Sequence, residues 1–184
     1  MTFIERRNAL VAALSTAVGC PVLLSDQVQP ESEPPYIVYS VTADYIPDAG
    51  LGDYTFRETG SGEDTSLAEV RAEQPSCTIS FSACSVNRWK QGTNGEKAYI
   101  FGEDEAQELA ARAQGFFIHT GEDVISSAGF VVVDVSNAGS RSAIVVDEMA
   151  RRYGFDVRLR YRRTDERDVG TVQKATPKGE TTKE

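Results

Sequence analysis

The segment that most constrains this chain is Met149 to Tyr161, where apolar residues recur at every second position. Tyr153, Phe155, Val157, Leu159 and Tyr161 form one set, and Arg152, Asp156, Arg158, Arg160 and Arg162 fall between them. A period of two sends successive side chains to opposite faces, so the segment reads as one strand with an apolar face and a guanidinium face. At roughly 3.3 Å per residue it spans about 43 Å, whereas a typical strand has about 5–6 residues. A compact domain of this length is about 40 Å across. The strand is expected to run the width of the domain or project beyond it, with Gly154 as the place for a bulge or bend.

The remaining segments supply partners for this strand. Residues 2–18 read as an amphipathic helix with Phe3, Leu10, Leu14, Ala17 and Val18 near the helical period. Thr2 and Glu5 make a capping box, and Gly19 followed by Pro21 ends the helix. Val22 to Ser25 and Tyr36 to Thr42 read as strands. In Ser76 to Ser85, Cys77, Ile79, Phe81 and Ala83 share one face, and Thr78, Ser80 and Ser82 share the other. Residues 87–98 read as a polar loop carrying Trp89. Glu103 to Phe117 reads as a second helix, with acids in its first turn where the macrodipole favours them. Phe130 to Val135 is expected as a central apolar strand, and Ala143 to Val146 as the start of the final strand segment.

Two segments stand apart. Residues 44–73 hold Asp44, Asp48, Asp53, Glu58, Glu63, Asp64, Glu69 and Glu73 against only Arg57 and Arg71. A structureless loop of this length is uncommon inside a compact domain. The segment is therefore expected to be either a surface excursion or an acidic arm that contacts a neighbour, with Tyr54–Glu58 and Ser66–Arg71 as arms of a hairpin. Residues 164–184 have few apolar groups and alternating charge, and are expected to form a mobile tail. The expected organisation is one domain over residues 1–163, containing the 44–73 arm, followed by that tail. Helix, strands, helix, strands is the order of an α+β fold: a twisted antiparallel sheet with two main helices on one face and a long C-terminal strand.

The sequence offers no constellation for catalysis. Cys20, Cys77 and Cys84 form no C-x-x-C pair, and His119 is the only histidine. Structural zinc sites use four Cys or His ligands at tight spacing, and a serine or cysteine nucleophile requires a base beside it. The cysteines read as buried small hydrophobes, with a pairing between subunits as the alternative, and His119 reads as structural. The glycine–lysine stretch Gly92 to Lys97 lacks the spacing of a phosphate loop. No enzymatic activity, cofactor or metal is expected. The chain has no apolar run of the ~20 residues that would cross a bilayer. Its N-terminus lacks a signal-peptide core, so it is expected to stay where it is made. A net charge of −9 argues against broad, non-specific binding to nucleic acid.

Against that charge, the arginines of residues 149–163 are the conspicuous feature. Arg151, Arg152, Arg158, Arg160, Arg162 and Arg163 face a single acid, Asp156. Three readings are open: a solvated face, an interface with acids of a neighbouring subunit, or a contact with DNA phosphates. The subunit-interface candidates are Arg152, Arg158, Arg160 and Arg162 on one side and Asp53, Glu58, Glu63 and Asp64 on the other. A head-to-tail contact between them would generate a ring or a filament.

These segments together resemble the tail terminator, or neck terminator, proteins of long-tailed bacteriophages. The resemblance rests on the opening helix, P-P-Y-I-V-Y-S-V at 34–41, Q-P-S-C-T-I-S-F-S at 74–82, E-A-Q-E-L-A-A-R-A-Q-G-F-F at 105–117 and R-R-Y-G-F-D-V-R-L-R-Y-R-R at 151–163. It implies a structural virion protein, assembled in the host cytoplasm, whose copies form a ring, expected to be a hexamer. Such a ring caps the tail tube, ends tail elongation and joins the tail to the head connector. Its implied partners are further copies of the chain, the tail-tube protein, a connector or stopper protein and a sheath protein. DNA passes through without sequence-specific binding. Another head–tail joining or tail-tube protein is the nearest alternative, and a monomeric soluble binding module is the alternative of a different class.

Overall fold

The computed structural model describes residues 1–25, 32–48, 50–59, 66–91, 96–145 and 148–169. Helix α1 (Phe3–Val18) begins where the sequence places its cap. The Glu5 amide donates to the Thr2 hydroxyl at 3.2 Å, and the Thr2 amide donates to the Glu5 carboxylate at 2.7 Å. Gly19 ends the helix in the left-handed region at φ 71°, which its missing Cβ permits. Strands β1 (Val22–Leu24), β2 (Tyr36–Ile46), β3 (Asp53–Thr59), β4 (Ser66–Glu73), β5 (Ser76–Ser85), β6 (Arg88–Gln91) and β7 (Lys97–Ile100) follow. Next come α2 (Gly102–Gly115), a π-helical turn (Phe116–Thr120), α3 (Glu122–Ser127), β8 (Phe130–Val135), β9 (Gly139–Ser140), β10 (Ala143–Val145), β11 (Glu148–Tyr161) and β12 (Arg163–Asp168).

The chain forms two units. The first, Met1–Pro47 with Pro75–Arg162, holds the main sheet in the order β1-β2-β5-β11-β10, with β8 and β9 also paired to β11. Only β1 and β2 run parallel; the other pairs of this sheet are antiparallel. Strand β11 is long because it serves several partners. One edge pairs with β5 from Arg151 to Arg160, while the other meets β10, β9 and β8 in turn.

The alternation in β5 and β11 aims both apolar faces at the helices. Ile79, Phe81, Phe155, Val157 and Leu159 join Leu10 and Leu14 of α1 and Leu109, Ala110 and Ala113 of α2 in one buried core. Phe81 is its centre, with ring centroids 5.0 Å from Phe117, 5.7 Å from Phe155 and 6.2 Å from Tyr39. Arg112 of α2 donates to the Val18 carbonyl at 3.1 Å, satisfying an acceptor at the end of α1 that its own turn leaves open. The fold is thus the expected α+β arrangement. Cys77 and Cys84 are buried, Cys20 is half-buried, and all three are free thiols.

Three local expectations are corrected. Gly154 makes no bulge: β11 pairs with β5 without interruption through Gly154 opposite Ser82. A Cβ there would lie 2.7 Å from the Phe81 carbonyl oxygen and 2.7 Å from Cδ of Arg141, so the glycine answers to close approach. The irregularity falls instead on the β8 side, between Arg158 and Leu159. Strand β8 is not central, because its only strand partner among the described residues is β11, and Val131 and Val133 are exposed. Its apolar run fills an edge.

The third correction concerns the second unit, Asp48–Gln74 with Arg163–Glu184. Strands β3 and β4 pair antiparallel, and residues 164–168, where the mobile tail was expected to begin, belong to strand β12 on the other side of β4. The order is β12-β4-β3. Its backbone ladder with β4 is accompanied by cross-strand ion pairs: Arg163 lies 3.8 Å from Glu73, Arg71 lies 3.0 Å from Asp165, and Arg167 pairs with Glu69. Residues 170–184, the remainder of the expected tail, lie outside the described residues.

Candidate assembly interface

The side of the main sheet away from the helices is a polar face. Strand β5 supplies Thr78, Ser80 and Ser82, and β11 supplies Arg152, Gly154, Asp156, Arg158 and Arg160. The pairing places Arg158 beside Thr78 and Asp134, Arg160 beside Ser76 and Val131, and Arg152 beside Cys84. Arg152, Arg158, Arg160 and Arg162 are all exposed. Among the described residues none of the four forms an ion pair. Arg158 and Arg160 stand two residues apart, about 7 Å along the strand.

The stripe is not continuous. Asp156 interrupts it and is occupied by Arg141, whose Nη2 donates to its carboxylate at 3.0 Å while Nη1 donates to the Ser80 hydroxyl at 2.6 Å. The Ser80 hydroxyl, helped by the Arg141 guanidinium, holds the Asp156 carboxyl below its ordinary value. Arg141 therefore lies across the Ser80 and Ser82 hydroxyls. Sequence reasoning missed this arginine because it lies in a turn-like segment outside the alternating pattern. What remains is an Arg158–Arg160 pair at one end of the strand, continued by Arg162, and Arg152 apart at the other.

The acidic candidates behave unevenly. Asp53 and Glu58 lie on β3, an edge strand of the second unit, and are exposed without an ion pair among the described residues. Glu63 and Asp64 lie outside the described residues. Glu69 and Glu73 are already taken by cations of their own unit: Glu73 is buried and lies 2.6 Å from Arg71, and Glu69 holds Arg167. Arg57 likewise meets Glu166 at 2.6 Å.

His119 is exposed in the π-helical turn. Burial pushes the Cys77 thiol up to about 12, which leaves it protonated and inert at neutral pH. Among the described residues no cluster of His, Cys, Asp and Glu could hold a metal ion, and no helix is long and apolar enough to cross a membrane.

The structure also reveals an aromatic cluster that the reading of 87–98 as a polar loop did not contain. Trp89, Tyr99 and Phe101 are separated in sequence but stack edge-to-face once β6 and β7 pair, with successive ring centroids 5.0 Å apart.

A comparison with curated proteins finds no match. Residues 8–184 match the model of a family described as phage neck terminator protein. The α+β fold with its long C-terminal strand accords with that match, and the chain belongs to the phage neck terminator family, as a structural protein of the virion tail.

Proposed function

We propose that copies of this chain assemble head-to-tail into a closed ring, a hexamer, which caps the tail tube, ends its elongation and joins the tail to the head connector. The supporting observation is the pairing of opposite, unsatisfied charges on a family member. Arg158 and Arg160 extend from β11 with Arg162 just beyond its end, and Asp53 and Glu58 extend from the two opposite faces of β3, with no ion-pair partner for any of them among the described residues. In the ring the arginines of one copy meet the β3 edge of the next, with Asp53 or Glu58 as the acid in reach. Arginine–carboxylate forks fix orientation and register more than they add affinity, which is what a closed ring requires of its joints. Arg152, set apart by the Arg141–Asp156 pair, extends the same face. The tail-tube protein and a connector or stopper protein are the neighbours above and below, a sheath protein is a further one, and DNA passes through the hole without being read.

Electron microscopy of the purified protein, alone and with tail tubes, tests this reading. Closed rings of one diameter, seated on tube ends, are the expected result. Tubes that lengthen without limit would identify a tube protein instead, and a strictly monomeric chain in both samples would reject the ring.

A further inference from the structure

Two surface features of the first unit stand out among the described residues, and they sit at opposite ends of α2. At its N-terminal end the β6–β7 hairpin carries Trp89, which is 67% exposed, Tyr99, and just beyond the hairpin Phe101, which is 60% exposed. Pairing of Trp89 with Tyr99 and of Gln91 with Lys97 puts Lys97 on the same face as the two stacked rings. Beyond the C-terminal end of α2 lies a groove of about 340 Å³ lined by Phe117, Ile118, Ile125, Phe130 and Val131, with Glu122 among its walls. Ile118 is 65% exposed, while Val131 pairs with Arg160 and turns its side chain to the polar face of the sheet. Glu122 forms no ion pair among the described residues.

We infer that the aromatic face of this hairpin is a knob that docks into the α2-end groove of a second copy of this chain. The inference rests on the ring reading above and names a joint of that ring. The groove is at the small end of the range for binding pockets, a size suited to one large side chain. Tryptophan and tyrosine are the residues most enriched at binding hot spots. Lys97 and Glu122 give the two surfaces opposite charge.

The hairpin cannot fill the groove of its own molecule. The fourteen residues of α2 put about 21 Å between the two ends, and a four-residue strand reaches only about 13 Å. The hairpin's base is also fixed: Arg88 holds Glu105 in α2 through bonds of 2.7 and 2.8 Å, and the Gly102 amide donates to Asn87 at 2.8 Å. Knob and groove are different surfaces of one protomer, so their contact is heterologous and propagates around a ring.

Trp89→Ala removes the knob, and Ile118→Lys places a cation in the groove against Lys97. Both sites are exposed on the folded protomer, and thermal melting confirms that each variant is folded. By light scattering, each is expected to need at least tenfold more protein than wild type to form rings. Trp89 is the only tryptophan, so its emission alone should shift to the blue as wild-type rings form. Rings from either variant at the wild-type concentration, or emission unchanged between monomer and ring, overturn this joint and leave the ring itself standing. A wild type that stays monomeric with tail tubes present overturns both.

Discussion

Arg88 holds Glu105 in a two-pronged grip, with Nη1 2.7 Å from one carboxylate oxygen and Nη2 2.8 Å from the other. The pair ties the β6–β7 hairpin to the first turn of α2, and the Ser85 hydroxyl joins it. The anchor matters because an isolated two-stranded hairpin is marginal in water.

The first prediction concerns the acid limb of stability. Burial pushes the Glu105 carboxyl up, but the bonds from Arg88 and Ser85 and the Arg88 charge outweigh it and set the group below its ordinary 4.5. A group depressed on folding contributes stability that is complete above its unfolded value and is lost as pH falls through the folded one. Glu105→Gln should therefore cost about 1–2 kcal/mol at pH 7. It should also flatten the fall in melting temperature below pH 4.5. Melting temperatures of both proteins between pH 3 and pH 7 make the comparison, and parallel curves would refute the role given to this pair.

The second concerns Gly154. A methyl group there meets the Phe81 carbonyl, which the sheet holds fixed, as well as the flexible Arg141 chain. Gly154→Ala should cost about 1–3 kcal/mol, as for overpacking elsewhere. It should also loosen the Arg141 contact with Asp156 and Ser80. Urea unfolding measures the first effect. A stability equal to wild type would show that β5 and β11 can part slightly at no cost.

What could be read from the residues followed the kind of force holding each element. The helix cap at Thr2 and the alternations of β5 and β11 were legible because burial of Phe81, Phe155 and Val157 imposes a period on the sequence. Strand β12 was not, because Arg163, Asp165 and Arg167 on one face and Thr164, Glu166 and Asp168 on the other carry no apolar period. A strand stabilised by cross-strand charges looks the same as a solvated tail. Strand β8 misled in the opposite direction, since Val131 to Val133 suggest burial that an edge position does not give. Of the interface candidates, the arginine row was legible from spacing alone. That Glu69 would be consumed inside its own unit was not, because its partner Arg167 lies 98 residues further along the chain.

The third prediction separates β12 from the residues beyond it. A chain ending at Arg162 loses β12 and leaves β3 and β4 as a bare hairpin. Hydrogen exchange in residues 66–73 should then accelerate at least tenfold, while amides of β5 and β11 keep their protection. A chain ending at Val169 retains the bond from the Val169 amide to the Leu67 carbonyl, 2.9 Å, and should protect residues 66–73 as the full chain does. Equal exchange in both shortened chains would show that β12 contributes nothing to its neighbours.

The last prediction tests the arginine pair. Arg158 and Arg160 project from the polar face and form no ion pair among the described residues, so reversing their charge breaks no contact described within the protomer. Arg158→Glu with Arg160→Glu should leave the melting temperature within a few degrees of wild type. It should also turn attraction for the acids of an adjoining copy into repulsion and raise the protein concentration at which rings form at least tenfold, an effect of about 1.4 kcal/mol per tenfold step. Adding Asp53→Lys and Glu58→Lys to the same chain reverses the other side of the joint as well. If those acids are the partners, assembly should return toward the wild-type concentration; if they are not, the four-site variant should assemble no better than the two-site one. Assembly of the two-site variant at the wild-type concentration would mean that the row is a solvated face.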